Sequence, residues 1–251
     1  MGEIWITHYS VRSWSSASEW DDYLCAVEYL LGDRLIKLDV NDPVRRKANV
    51  KSGEGKFIIQ FGEKEESRWL WGRFEKTKIE INIELSKLPV DSFGRHTKNQ
   101  ITFYVPKQMS FDSDAGQLIK LFRLSNERLN AFYAYADFKD VLCGKKPSTP
   151  SLDISRELLG VFWLTYFGPR YCAFFGRDRL LHLRQAIQGP ADGITLQLAE
   201  FPSQVPESSR ITLEHEIAPE SFAGTGASKN RGQFALTLAQ LACEFPETGD
   251  G

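Results

Sequence analysis

Apolar and polar positions follow two different periods along this chain, and the switches between them outline its elements. From residue 78 to 85, K-I-E-I-N-I-E-L, the alternation is strict. Ile79, Ile81, Ile83 and Leu85 share one face, and Glu80, Asn82 and Glu84 share the other. A period of two belongs to an extended strand with one packed face and one face that is wet or meets something polar. Ile4 to Tyr9, R-W-L-W-G-R-F at 68–74, I-T-F-Y-V at 101–105 and G-I-T-L-Q-L-A at 193–199 read as further strands. So do K-F-I-I-Q-F at 56–61 and R-I-T-L-E-H-E-I at 210–217. The period lengthens in S-E-W-D-D-Y-L-C-A-V-E-Y-L-L-G, where Trp20, Tyr23, Leu24, Val27, Leu30 and Leu31 recur at steps of three and four. That spacing predicts a helix capped by Ser18, with Glu19, Asp21 and Asp22 at its positive end and Gly32 closing it. A second stripe, Leu118, Leu121, Phe122, Leu129, Phe132, Tyr133 and Ala136, predicts a long helix from Asp114 to Asp137. A loop at 223–232 and a last helix around Gly232 to Cys243 complete the pattern.

Connections between the strands at 56–105 are short, which favours antiparallel pairing. Strands and helices come in groups, without regular alternation. The expected class is therefore α+β: mainly antiparallel sheets with two long amphipathic helices packed on them, in two lobes. The proline-bearing segment G-K-K-P-S-T-P-S at 144–151 separates an N-terminal α+β lobe, 1–143, from a C-terminal α+β lobe, 152–245.

The densest aromatic run, G-V-F-W-L-T-Y-F-G-P-R-Y-C-A-F-F-G at 160–176, has apolar residues on both strand faces. It reads as a strand covered on both sides, or as the continuation of a helix starting near Ser155. Gly168-Pro169 turns the chain, proline suits a first helical position, and Gly176 ends the short helix carrying Tyr171, Phe174 and Phe175. The stretch is chiefly interior. The polar tips of Tyr166, Arg170 and Tyr171 are the parts that could reach a surface.

The chain has 251 residues, 42% hydrophobic and 25% charged, with a formal net charge of −2. This is an ordinary globular composition, and it lacks the basic excess that nucleic-acid binding favours. The start M-G-E-I-W-I shows no secretory pattern, and Leu158 to Phe167 is half of the roughly 20 residues that a membrane-spanning helix needs. A cytoplasmic protein is expected, with no membrane and no nucleic acid among its partners. Cys25, Cys143, Cys172 and Cys243 are scattered without a C-x-x-C pair, so neither a structural zinc site nor a disulfide framework is expected. Cys25 and Cys172 read as buried thiols. His8, His96, His182 and His215 fall in separate elements, and His215-Glu216 has Pro219 where a zinc-protease motif needs its second histidine. No phosphate-binding loop or nucleophile elbow is present. No catalytic residue, metal or cofactor is expected, and the chain reads as a non-enzyme. Trp69 and Trp71 share a strand face that is core if a helix covers it and a ligand surface if it is open. Glu80 and Glu84 share a face as paired carboxylates or as plain solvated positions.

The run F-W-L-T-Y-F-G-P-R-Y-C-A-F-F-G-R-D-R-L-L resembles a signature of immunity proteins of bacterial polymorphic-toxin systems, especially the immunity protein 52 family. Trp163, Tyr166, Phe167, Gly168, Pro169, Tyr171 and Gly176 carry the likeness, which covers residues 158–183. The N-terminal half is similar only in having a first strand followed by a helix with Cys25-Ala26. The resemblance implies a non-catalytic cytoplasmic protein, a monomer that forms a heterodimer with a cognate toxin domain and occludes its active site. The motif residues would be structural. Acidic residues on faces expected to be exposed, Asp21, Asp22, Glu80, Glu84, Glu214 and Glu216, are the candidate toxin contacts. The alternative is a hydrolase of unrecognised class acting on nucleotide or nucleic acid, which would need a cleft gathering His, Asp or Glu from both lobes.

Overall fold

Alternating segments pair through their backbones wherever one face can be buried, and the chain uses this rule in two places. The computed structural model describes residues 2–11, 16–40, 44–50, 53–62, 67–86, 98–109, 111–145, 154 and 157–223. It divides into two compact units, residues 1–131 and 132–251. Both are α+β, and the ladders within each run antiparallel.

In the first unit the strands are β1 (Ile4–Ser10), β2 (Leu35–Asp39), β3 (Ser67–Phe74), β4 (Glu80–Ser86) and β5 (Asn99–Val105), in the order β2-β3-β4-β5-β1. Its helices are α1 (Ala17–Leu31), α2 (Glu54–Gly62) and α3 (Phe111–Arg128). One sheet face carries Ile4, Ile6, Phe103, Ile81, Ile83, Leu70 and Phe74, all buried. His8 belongs to this face and meets α3 at Phe122 and Asn126. Helix α1 buries Trp20, Tyr23, Leu24, Val27 and Leu31, and the Tyr23 hydroxyl lies 3.0 Å from that of Ser125 in α3.

Helix α1 begins two residues earlier than its sequence suggests, with Ser16 rather than Ser18 at the N-cap. It ends at Gly32 in the left-handed conformation, φ 59°. Gly32 N–H donates to Tyr29 O and Asp33 N–H to Glu28 O, which is a Schellman closure. Cys25 is exposed, contrary to expectation. One residue past Leu24 is a rotation of about 100°, enough to leave the apolar stripe.

Two elements of this unit differ from their patterns. Residues 56–61 lie in α2, not in a strand, because a short apolar run fits either period and its surroundings decide. The Glu54 carboxylate accepts from Asn49 N–H at 2.7 Å and Arg46 at 2.6 Å, and Asp21 accepts from Gly55 N–H at 2.7 Å. Asp21 thus satisfies a donor at the positive end of the helix, and Glu54, in its first turn, ties that end to the preceding segment. Helix α3 stops at Arg128, where Asn130 takes a left-handed conformation, φ 51°. Asn130 N–H then donates to Glu127 O and Ala131 N–H to Asn126 O. The expected continuation to Asp137 is instead a strand.

That strand opens the second unit: β6 (Tyr133–Phe138), α4 (Lys139–Gly144), β7 (Leu164–Phe167), α5 (Pro169–Phe175), α6 (Arg177–Leu181), β8 (Ala186–Gln188), β9 (Ile194–Gln197) and α7 (Glu207–Ile217), with strand order β6-β7-β9-β8. Every residue from Val161 to Gly168 is buried, as a doubly covered strand requires, although only its last four paired residues form β7. Pro169 then starts α5, and Gly176 follows its end with φ 87°. Residues 210–217 belong to α7, not to a strand. Its buried stripe is Arg210, Leu213, Glu214 and Ile217. Half of that stripe is charged, so an apolar count misses the helical period.

The segment at 144–151 is described only at Gly144 and Lys145, and the helix expected at 232–243 lies outside the described residues, as does nearly all of the loop before it. Among the described residues no helix is long and apolar enough to cross a membrane.

Candidate binding face

Strand register places the outward residues of the first unit in rows. Trp5 lies opposite Tyr104, Tyr104 opposite Glu80, and Glu80 opposite Arg73. The middle row is Thr7, Thr102, Asn82 and Trp71. The third is Tyr9, Gln100, Glu84 and Trp69. These residues point away from the face that meets α1 and α3, because successive side chains on a strand alternate.

Small polar groups fill the centre and tie to one another. The Thr7 and Thr102 hydroxyls are 3.2 Å apart, Gln100 Nε2 donates to Thr102 at 3.3 Å, and Asn82 Nδ2 donates to Leu70 O at 3.3 Å. Larger rings stand around them. Trp71 stacks on Tyr104 with centroids 5.8 Å apart, and Trp5 meets Tyr104 edge-on at 5.3 Å. Trp69 is 58% exposed, and Glu80, Glu84, Gln100 and Tyr104 are half-buried. Rings locked against a hydrogen-bonded centre lose little freedom when a partner covers them, which is what favours aromatic residues at interfaces. The face offers π surface and carboxylates on a rigid sheet.

The six acidic candidates are dispersed. Glu80 and Glu84 lie on this face, and Arg73 stands 3.9 Å from Glu80. Asp22 is exposed on α1 and Glu216 on α7. Asp21 is half-buried and engaged with Gly55. Glu214 is not exposed: it is 1% accessible and pairs with Lys145 Nζ at 2.6 and 2.8 Å while accepting from Val161 N–H at 2.9 Å. Its placement on a helix turns it inward, since it stands one turn after buried Arg210.

Arg210 makes the second inner ion pair, donating to Asp137 Oδ2 from Nη2 at 2.8 Å and from Nε at 3.1 Å. The same oxygen accepts from Trp163 N–H at 2.9 Å. Burial raises the Asp137 pKa, against the pull of Arg210 and these backbone donors. Together the two pairs hold the extended segment 160–163, so these charges do structural work.

The aromatic motif residues pack around them. Trp163 Nε1 donates to Ala199 O at 3.1 Å and the Tyr166 hydroxyl to Pro190 O at 3.0 Å. The Tyr166 ring lies so close to Gly193 that a Cβ there would stand 2.3 Å from its hydroxyl oxygen. Tyr171 stacks on Phe175 with centroids 5.7 Å apart, and Phe167 meets Phe175 edge-on at 5.2 Å. Tyr166 and Tyr171 are thus buried, so their tips do not reach the surface, whereas Arg170 is half-buried. Cys172 is buried, its thiol pushed up to about 11 by desolvation, so it stays protonated near neutrality.

Of the four histidines, His8 is fully buried. Its pKa falls to about 4 by desolvation, which its 2.9 Å contact with Asn126 Oδ1 partly opposes. His182 and His215 are exposed, and His96 lies outside the described residues. Among the described residues no group of three or more His, Cys, Asp or Glu could hold a metal.

Trp5, Tyr104 and Gln100 belong to the face but escape a strand-by-strand reading. Their signal was the phase of I-W-I-T-H-Y and Q-I-T-F-Y, in which every second residue is aromatic or polar; joining those phases needs the register.

By sequence the chain matches no protein-family profile and no curated protein. By fold it is similar to the Pseudomonas aeruginosa T6SS protein PA0821, with a TM-score of 0.60 and 16% sequence identity, over 88% of this chain and 77% of that one.

Proposed function

We propose that this chain is an immunity protein that binds a cognate bacterial toxin domain one to one and neutralises it by covering its active site. The observation that carries the reading is the outward sheet face of the first unit, where Trp69, Trp71 and Tyr104 stand with Glu80 and Glu84 on a hydrogen-bonded base. A rigid face of this composition suits a protein partner, and a standard interface would bury about 800 Å² on each side. Occlusion needs shape and charge, with no cofactor and no catalytic group in this chain. The similarity of fold to a T6SS protein supports the setting of competition between bacteria, and the aromatic Gly-Pro signature at 158–183 supports the finer reading as an immunity protein.

The test is co-expression of the full chain with the toxin domain encoded beside it. Growth rescue and a one-to-one complex by size-exclusion chromatography with light scattering are expected. If every neighbouring effector domain stays toxic and runs separately, the reading is wrong.

A further inference from the structure

Trp69 and Glu84 are directly opposed on β3 and β4, on the outward face of the first unit. The indole is 58% exposed. Glu84 has no hydrogen bond or ion pair among the described residues, whereas its neighbour along the strand, Glu80, has Arg73 at 3.9 Å. Gln100, on the far side of Glu84, is occupied by Lys98 and Thr102. A π face beside a carboxylate attracts a cation twice over, and among the described residues the nearest cation in this row, Lys98, is engaged with the Tyr9 ring at 4.8 Å and with Gln100 at 3.4 Å.

The same unit contains the completed version of this arrangement. Arg46 lies over the Phe57 ring at 3.8 Å and donates to Glu54 at 2.6 Å, so one guanidinium satisfies a ring and a carboxylate together. Its flat face stacks while its edge keeps N–H groups for the anion; a lysine ammonium is a point charge that cannot do both as well. Trp69 and Glu84 present the ring and the anion, with no cation paired to Glu84 among the described residues.

We propose that Trp69 and Glu84 form the receptor for an arginine side chain of the toxin domain that this chain neutralises. This rests on the immunity reading above and adds the contact face and the chemistry of the partner. Arginine inserted at a desolvated aromatic site is a common energetic centre of protein interfaces. Trp71, two residues along β3 on the same face and held by its stack on Tyr104, flanks this receptor on one side.

Two measurements on the full chain separate this proposal from the reading beneath it. The first needs no toxin: the chain is titrated with a hexa-arginine peptide while the Trp69 indole N–H is followed by NMR, with hexa-lysine as the comparison. Hexa-arginine should shift the Trp69 signal at lower concentration than hexa-lysine, and Glu84→Gln should weaken the response about tenfold. An unmoved signal, an equal response to hexa-lysine, or an equal response in Glu84→Gln overturns the receptor.

The second uses the toxin domain. Trp69→Ala should weaken the complex about thirtyfold or more, and Trp69→Phe, which keeps a ring, by less. An unchanged thermal midpoint identifies each loss as one of contact. A toxin domain that binds wild type and both variants alike removes the receptor and leaves the immunity reading. A chain that answers hexa-arginine but binds no toxin domain overturns the toxin as the source of the arginine, and the immunity reading with it.

Discussion

In the second unit Tyr133, Phe167, Tyr171 and Phe175 contact one another at centroid distances of 5.2 to 6.5 Å and all are buried. In the first, Trp69, Trp71 and Tyr104 stand on a sheet face where Trp69 keeps 58% of its surface accessible. The carboxylates divide the same way. Glu214 is sealed against Lys145 and Val161, while Glu84 has no partner among the described residues. Aromatic density therefore does not separate function from architecture. What separates them is whether the second face of a strand is covered. A ring with two covered faces contributes to stability, and a ring with one covered face remains available for binding.

The contrast can be broken at its inner end first. Arg210→Ala would leave the Asp137 carboxylate buried without its cation, which costs about 3–5 kcal/mol. Urea unfolding should show that loss, and a midpoint unchanged from wild type would mean that the pair stabilises nothing.

Next in size is the acid response of His8. Its pKa is about 4 when folded, against a usual value of 6.5. The unfolded chain therefore binds a proton that the folded one refuses in that interval. The contribution is complete above pH 6.5 and is lost as pH falls toward 4, by roughly 3 kcal/mol at 1.36 kcal/mol per pH unit. A His8→Gln variant should flatten the stability profile over that window; a profile as steep as wild type would assign it to another group.

Gly193→Ala should cost about 1–3 kcal/mol, because the new methyl group must displace the Tyr166 ring. Differential scanning calorimetry would register it, and an unshifted transition would mean that the ring moves freely.

Smallest is the effect of Glu84→Gln on unfolding. Away from any partner, a surface change of this kind stays within about 0.5 kcal/mol. A larger loss would place Glu84 in the architecture and erase the distinction between the two regions.

Much of the scaffold is written in local periodicity. The alternation at 78–85 predicts β4, the three-and-four spacing predicts α1 with Gly32 as its stop, and Gly168-Pro169 predicts the turn into α5. Three segments read wrongly for physical reasons. The short apolar run at 56–61 fits both periods, and α2 is settled by the carboxylates of Asp21 and Glu54. The stripe beyond Leu129 keeps a helical spacing that Asn130 interrupts. Helix α7 hides its inner face because Arg210 and Glu214 count as polar in any hydropathy pattern, yet their partners make them interior. The outward face was half legible: Trp69 with Trp71, and Glu80 with Glu84, share faces by simple alternation.

Periodicity along the chain thus determined which residues lie together on each strand or helix, because φ and ψ repeat locally. Only the tertiary structure decided which strand stands beside which, and therefore that Glu84 meets Trp69 while Glu214 meets Lys145. Those meetings depend on register and on partners tens of residues away, and no local repeat encodes them.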